Sequence, residues 1–222
     1  MWVSAKYDWM FFQSVILLIG TAMDFMTSKL FFCPLFGLFL FLGMLYKHWK
    51  DFTEINVWGG WPNLITLSRL TLLFAVPFLD HAFDLGVLCL TVVCLDGLDG
   101  FAARKLNQAT DFGGILDMET DAFFCLLFSL TIALQNPDLQ WVLLGGLLRY
   151  WYKITTTLIT KNGYTERKKK YARFVAGCYF ISFILYFFTI DSIGKYCLSI
   201  GTTLVILSFT ASFYEFLKYK EA

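Results

Sequence analysis

The chain has 222 residues, of which 58% are hydrophobic and 19% aromatic, while only 16% carry a charge. A soluble domain of this length could not bury so much apolar surface, so the composition excludes an ordinary soluble protein and predicts a membrane protein. The formal net charge is only +1, and no nucleic-acid partner is expected.

The apolar residues form continuous runs rather than period-two alternation, which indicates spanning helices and not a β-barrel. Short polar connections separate the runs and favour antiparallel neighbours in one domain. In chain order we predict eight spans, at about 9–23, 30–46, 63–79, 85–103, 114–134, 139–160, 171–190 and 196–215. No chemistry is assigned to the first two spans, which lie within residues 1–49.

Residues 50–62 read KDFTEINVWGGWP and mix charged with aromatic side chains. This pattern is typical of an interfacial segment that lies along the membrane surface. A plain loop whose tryptophans lie in the interfacial belt is an equally good interpretation.

The loop charges predict the orientation. Ten Lys or Arg residues lie in one set of alternate loops and two in the other; the ranges are 47–62, 104–112 and 161–173, against 24–29, 80–84, 135–138 and 191–195. By the positive-inside rule the first set is cytoplasmic, and eight spans then place both termini there as well. We expect an integral membrane protein, of a bacterial inner membrane, with a cytoplasmic active site.

Carboxylates are concentrated in the segment 96–121, DGLDGFAARKLNQATDFGGILDMETD. Asp96 and Asp99 are three residues apart at the end of the fourth span, and Asp117 and Asp121 are four apart at the start of the fifth. Each spacing puts its pair on one helix face. Two antiparallel helices would therefore bring four carboxylates together near the cytoplasmic surface.

Carboxylates this close repel one another unless cations lie between them. Ligation by oxygen alone favours Mg²⁺, Ca²⁺ or Mn²⁺ over zinc, and a pair of such ions is the usual arrangement for phosphoryl transfer. Two alternatives are a divalent-cation transporter and an inactive scaffold. A transporter needs polar residues along a path through the bilayer, and the outer halves of these spans contain few.

The neighbours of the carboxylates fit a large, anionic substrate. Gly97 and Gly100 keep side chains off the helix face, and Arg104 carries a guanidinium that suits a diphosphate. Asp111 and Glu119 lie off the pattern, and we interpret them as surface or supporting groups.

The same segment resembles the signature of the CDP-alcohol phosphotransferases, D-x2-D-G-x2-A-R-x8-G-x3-D-x3-D, at every fixed position. Those positions are Asp96, Asp99, Gly100, Ala103, Arg104, Gly113, Asp117 and Asp121. Residues 62–69, PNLITLSR, are similar to the P-N-x2-T-x2-R opening of the family's first core helix. The fold implied is an all-α polytopic membrane protein, with a six-helix catalytic core at 63–222 preceded by two additional transmembrane helices.

The resemblance also implies roles for single residues. Two divalent cations, Mg²⁺ or Mn²⁺, would be held by Asp96, Asp99 and Asp117, with Asp121 both a ligand and the general base. Contacts to the CDP-linked lipid would come from Asn63, Thr66, Gly100, Arg104 and Thr110. The donor would be a CDP-diacylglycerol-type lipid, the acceptor a small polar alcohol, the released product CMP, and the assembly a homodimer among membrane lipids.

Basic residues in the later spans bear on the acceptor. Arg149 and Lys153 are four apart in the sixth span, and Lys170 and Arg173 open the seventh. In the family such residues hold an acceptor's phosphate, which favours glycerol 3-phosphate or inositol phosphate over serine, inositol or an aminoalcohol. Positive-inside topology alone would also explain Lys170, whereas Arg149 lies deeper and needs an internal partner. Arg69 resembles phosphatidylglycerophosphate synthase-type members, although the two additional spans depart from their layout.

Overall fold

A computed structural model of the chain describes residues 2–56, 59–159, 170–189 and 192–221. In these ranges every regular element is helical, which confirms the all-α prediction. The helices are α1 (Trp2–Thr27), α2 (Phe32–Lys47), α3 (Trp49–Phe52), α4 (Gly60–Leu73), α5 (Ala82–Lys105), α6 (Asp111–Gln135), α7 (Leu143–Ile159), α8 (Lys170–Phe188) and α9 (Ser192–Glu221), with short 3-10 turns at Val76–Phe78 and Pro137–Val142.

Four helical stretches are long and apolar enough to cross a bilayer: Trp9–Thr27, Ala82–Lys105, Tyr171–Phe188 and Ser192–Lys218. Each of the eight predicted spans coincides with a helix, so the protein is a polytopic membrane protein. The third span is shorter than predicted. Its helix, α4, ends at Leu73 because Pro77 has no amide hydrogen to donate to the Leu73 carbonyl, and a 3-10 turn follows.

Helix α6 is the centre of the bundle. It packs against α4 and α7, and nearly every residue from Ala122 to Ala133 is buried. Aromatic rings of α8 pack against α6; the ring centroids of Phe183 in α8 and Phe124 in α6 are 5.8 Å apart. A helix that is apolar on all sides is stable only when covered on all sides. The core therefore fixes α6 in place, and with it the polar first half that carries two of the signature carboxylates.

The two N-terminal helices form a hairpin that packs on the core through α1 and α7. The buried carboxylate of Asp24 joins the two helices. Its Oδ1 accepts hydrogen bonds from the amides of Phe31 (2.9 Å) and Phe32 (2.6 Å), and its Oδ2 accepts one from Cys33 (2.8 Å). Since the first amides of a helix have no partner within the helix, Asp24 caps α2 from α1.

The segment predicted to be interfacial includes most of the short helix α3 and, from Gly60, the start of α4. Phe52 in α3 is buried, with its ring 6.1 Å from that of Phe112, whereas Trp61 is exposed. Gly59 and Gly60 have φ of 75° and 82°, a left-handed conformation that glycine adopts without strain, and they turn the chain into α4. Residues 57 and 58 lie outside the described ranges, and the interfacial position stays a prediction.

Replacement of Asp24 by alanine should lower the stability of the folded protein in detergent. Three amides at the start of α2 would lose their acceptor, and the loss of the buried one, that of Cys33, alone costs about 1–3 kcal/mol. The midpoint of thermal unfolding measures this loss. Asp84→Ala is the matched control, because Asp84 is an exposed acid in the first turn of α5. Equal midpoints for the two variants would contradict a capping role for Asp24.

Candidate active site

The loop between α5 and α6 is shaped so that the signature carboxylates meet. Asn107 adopts a left-handed conformation with φ of 51°, which reverses the chain. The Thr110 hydroxyl then accepts a hydrogen bond from the Gly113 amide at 3.0 Å and caps α6. The loop is held to α4, because the Gln108 side-chain oxygen accepts a hydrogen bond from the Trp61 amide at 3.1 Å.

Four carboxylates converge where α4, α5 and α6 meet. Oxygens of Asp96, Asp99 and Asp117 all lie within 4.8 Å of one another. Asp99 is nearly buried, whereas the other three signature carboxylates, including Asp121, are between 31% and 40% exposed. Oxygens that bind Mg²⁺ or Ca²⁺ at about 2.0–2.6 Å are up to about 5 Å apart, so the spacing and the all-oxygen donor set fit such ions.

A residue from α4 stands at the centre of these carboxylates. The Arg69 guanidinium is 1% exposed; its Nη1 donates to Asp99 Oδ2 (2.7 Å) and Asp117 Oδ1 (2.8 Å). Its Nη2 pairs with Asp96 Oδ1 (2.8 Å) and with Asp121. Helix α4 packs against both α5 and α6, and Arg69 joins all three helices.

The central position of Arg69 was not predicted from the sequence, which gave this residue only a place in a motif. One signal could have found it. An arginine in the interior of a predicted span needs an internal counter-charge, and the acidic segment is the richest source of negative charge in the chain.

Of the residues predicted to contact the CDP-linked lipid, the structure shows Thr66 in contact with the carboxylate cluster. The Thr66 hydroxyl donates to Asp99 Oδ2 at 3.1 Å, so it supports a carboxylate directly. Asn63 is buried, and its Nδ2 has no hydrogen-bond partner among the described residues. Arg104 is exposed, and its guanidinium lies beside Gly100, 3.4 Å from the position a Cβ would take. Nucleotide contacts by these residues stay predictions.

The residues predicted to bind the acceptor are only partly described. Arg149 Nη2 donates a hydrogen bond to Glu119 Oε1 at 2.7 Å. Glu119 is thus the internal partner expected for an arginine within a predicted span. Glu119 is only 4% exposed, so it is a supporting group and not a surface group. Lys153 is half-buried on the same helix, Arg173 is exposed, and the side chain of Lys170 lies outside the described part.

The sequence profile of the CDP-alcohol phosphatidyltransferases matches residues 60–213. The chain belongs to this family. The matched region includes α4 to α8 and most of α9, and thus all four carboxylates and Arg69. The α1–α2 hairpin precedes it.

Individual relatives agree with the family profile. The chain is 46% identical over 96 residues to the CDP-diacylglycerol–inositol 3-phosphatidyltransferase of Schizosaccharomyces pombe, a match that covers 41% of this chain and 40% of the relative. It is 43% identical over 92 residues to the CDP-diacylglycerol–glycerol-3-phosphate 3-phosphatidyltransferase of Aquifex aeolicus (38% and 52%). The chain thus spans about half the length of these curated relatives. No solved structure matches it.

Two kinds of glycine occur in the family signature and its surroundings. A Cβ at Gly113 would lie 2.4 Å from the side-chain oxygen of Asn63, so an alanine there forces Asn63 to move. A Cβ at Gly97 or Gly114 would meet nothing within 4 Å. Gly97 follows Asp96 directly, and packing does not explain the absence of its side chain. An open face next to the carboxylates is what a bulky substrate needs.

Alanine substitutions at Gly113 and Gly97 should therefore have opposite effects. Gly113→Ala should lower the thermal midpoint, because overpacking of this kind costs about 1–3 kcal/mol. Gly97→Ala should keep or raise it, since alanine stabilises a helix by about 0.5–1 kcal/mol relative to glycine, while catalytic activity falls because a methyl group enters the open face. Thermal unfolding and an activity assay measure the two properties. A Gly97→Ala protein with full activity would show that no substrate occupies the open face.

Proposed function

We propose that this protein is an integral-membrane enzyme of phospholipid synthesis. It transfers a phosphatidyl group from CDP-diacylglycerol, or a similar CDP-linked lipid, to a small polar alcohol and releases CMP. The observation that carries the proposal is the convergence of all four signature carboxylates at one partly open site. Family membership supports it, as do the names of the relatives from S. pombe and A. aeolicus.

The carboxylate cluster has the donors that divalent cations require. We propose that Asp96, Asp99, Asp117 and Asp121 hold two such ions, Mg²⁺ or Mn²⁺. When bound, these cations would neutralise the negative charge that develops on the leaving CMP.

Asp121 is the proposed general base. Its carboxylate is partly exposed, so an acceptor hydroxyl can reach it from the open side. The Asp121 oxygen takes the hydroxyl proton as the acceptor oxygen bonds to the lipid-side phosphorus. The bond from that phosphorus to the bridging oxygen breaks, and CMP departs with the electron pair. Arg104 would hold the diphosphate, together with the other predicted lipid contacts, Asn63, Thr66, Gly100 and Thr110.

Arg149 is the proposed contact for an acceptor phosphate. Its guanidinium is 29% exposed and is anchored by the buried Glu119, and a planar guanidinium is well suited to a phosphate. Lys153, Lys170 and Arg173 would add positive charge. This arrangement favours glycerol 3-phosphate or inositol phosphate. Because an S. pombe relative is named for inositol, free inositol belongs in the same test.

The loop charges support a cytoplasmic site with both termini on the same side, as in a bacterial inner membrane. A site at this depth admits a lipid from the bilayer and a soluble acceptor from the water. A homodimer is proposed on the family resemblance.

The decisive experiment is CMP release from CDP-diacylglycerol by purified protein with Mg²⁺ or Mn²⁺. The acceptors are glycerol 3-phosphate, inositol phosphate, inositol, serine and a control without acceptor. Release with one acceptor would establish the reaction and its product together. Release with none of them would contradict the proposed donor and acceptor class.

Asp121→Asn should reduce the rate of CMP release by about 10²–10⁴-fold, the usual contribution of a general base, with little loss of stability. The amide keeps the shape of the side chain but cannot accept the proton. Asp111→Asn is the matched control, because Asp111 is an exposed acid on the same helix. Similar activities in the two variants would remove Asp121 from the mechanism.

Arg149→Met should raise the KM for a phosphate-bearing acceptor by about ten-fold or more, since a charge-assisted hydrogen bond contributes about 1.5–3 kcal/mol. The KM for the CDP-linked lipid should stay the same. Lys195→Met, which removes an exposed charge at the start of α9, is the control. An unchanged acceptor KM in the Arg149 variant would place the acceptor phosphate elsewhere.

A further inference from the structure

Arg69 is the one described cation that contacts all four signature carboxylates. It comes from α4, whereas the carboxylates come from α5 and α6. We propose that Arg69 is a positioning residue that acts as the internal counter-cation of the metal-free cluster, and that it exchanges carboxylate contacts for divalent cations when these bind. The inference rests on the proposed function, in that it requires the carboxylates to bind metal.

The first step is that the carboxylates need a cation to remain together. Oxygens of Asp96, Asp99 and Asp117 within 4.8 Å of one another repel strongly in a partly buried site. The planar guanidinium has two terminal nitrogens, and each of them contacts two carboxylates. The ammonium group of a lysine is a point charge and cannot make these two separate pairs of contacts.

The second step is that arginine and metal compete for the same oxygens. Asp99 Oδ2 and Asp117 Oδ1 both lie within 2.8 Å of Arg69 Nη1, so the guanidinium already takes an oxygen of two carboxylates that would hold the metal. One positive charge against four negative charges leaves a strong attraction for divalent cations. The bound guanidinium therefore preserves the shape of the site, but it must give up hydrogen bonds when a metal binds.

The third step is that nothing else described holds the guanidinium in this position. Arg69 Nε is buried and has no hydrogen-bond partner among the described residues. The carboxylates alone orient the terminal nitrogens. When the carboxylates turn to a metal ion, the guanidinium is released to rotate.

A permanent brace between α4 and its neighbours is the alternative role, and it predicts different behaviour. A brace stabilises the protein equally with and without metal. A counter-cation stabilises mainly the metal-free protein and weakens metal binding. The comparison therefore has to be made in both states.

The experiment uses the purified full chain in detergent, with wild type, Arg69→Met, Arg69→Lys and the control Lys105→Met, which removes an exposed charge at the end of α5. The Mn²⁺ dissociation constant is measured by calorimetry, and thermal midpoints are measured in chelator and in saturating Mn²⁺.

Arg69→Met should bind Mn²⁺ about ten-fold more tightly than wild type. In wild type, metal binding breaks charge-assisted hydrogen bonds of Arg69, and ten-fold corresponds to the free energy of about one such bond. The midpoint of Arg69→Met should fall by about 5 °C or more in chelator and match wild type in Mn²⁺. Arg69→Lys should lie between the two, and Lys105→Met should match wild type.

Equal losses of stability in both states, or Mn²⁺ affinity that is unchanged or weaker in Arg69→Met, would establish a brace and overturn the proposal. If wild type itself binds no Mn²⁺, the metal part of the proposed function fails as well, so the two failures are distinguishable. Recovery of Arg69→Met only in the presence of Mn²⁺ supports the proposal. If Arg69→Met cannot be recovered in either condition, the same two measurements on Arg69→Lys decide.

Discussion

The ion-pair network of Arg69 with four aspartates is the interaction on which the arrangement of the site depends. Each carboxylate at membrane depth is costly by itself, and so is the arginine. Removal of one partner from a buried ion pair also lowers stability, because it leaves the other charge uncompensated. Until a metal ion takes over these carboxylates, the network therefore links α4 to α5 and α6 and keeps the four carboxylates of the family signature together.

Acidic residues in this protein differ in what supplies their hydrogen-bond donors. Asp24 accepts from three backbone amides, and Glu119 from the Arg149 guanidinium. Asp96 and Asp117 accept from Arg69 but remain partly open, with oxygens close to other oxygens. Among these four acids, Asp96 and Asp117 are the ones whose oxygens lie close enough to other carboxylates to share a cation. An acidic residue in a membrane helix therefore indicates a functional site when the protein supplies too few hydrogen-bond donors or cations for its carboxylate.

The sequence predicted the helices and the meeting of the carboxylates well, because both follow from local rules. Continuous apolar runs predict spans, and spacings of three and four residues put Asp96 with Asp99, and Asp117 with Asp121, on common faces. It did not predict that α4 packs against both α5 and α6, since spacing along one helix does not specify its neighbours. The position of Arg69 and the pairing of Glu119 with Arg149 are tertiary contacts of this kind. The early end of α4 followed from Pro77 and could have been predicted.

The Asp24 cap also has a consequence for how the chain is assembled in the membrane. While α1 is alone, the amides that Asp24 caps are not yet present, and the Asp24 carboxylate near the end of the helix lacks its donors. The amides of Phe31, Phe32 and Cys33 arrive only with the next segment of the chain. Helix α1 therefore reaches its stable position together with α2, and the hairpin, not the single helix, is the unit in which the Asp24 carboxylate has its hydrogen-bond donors.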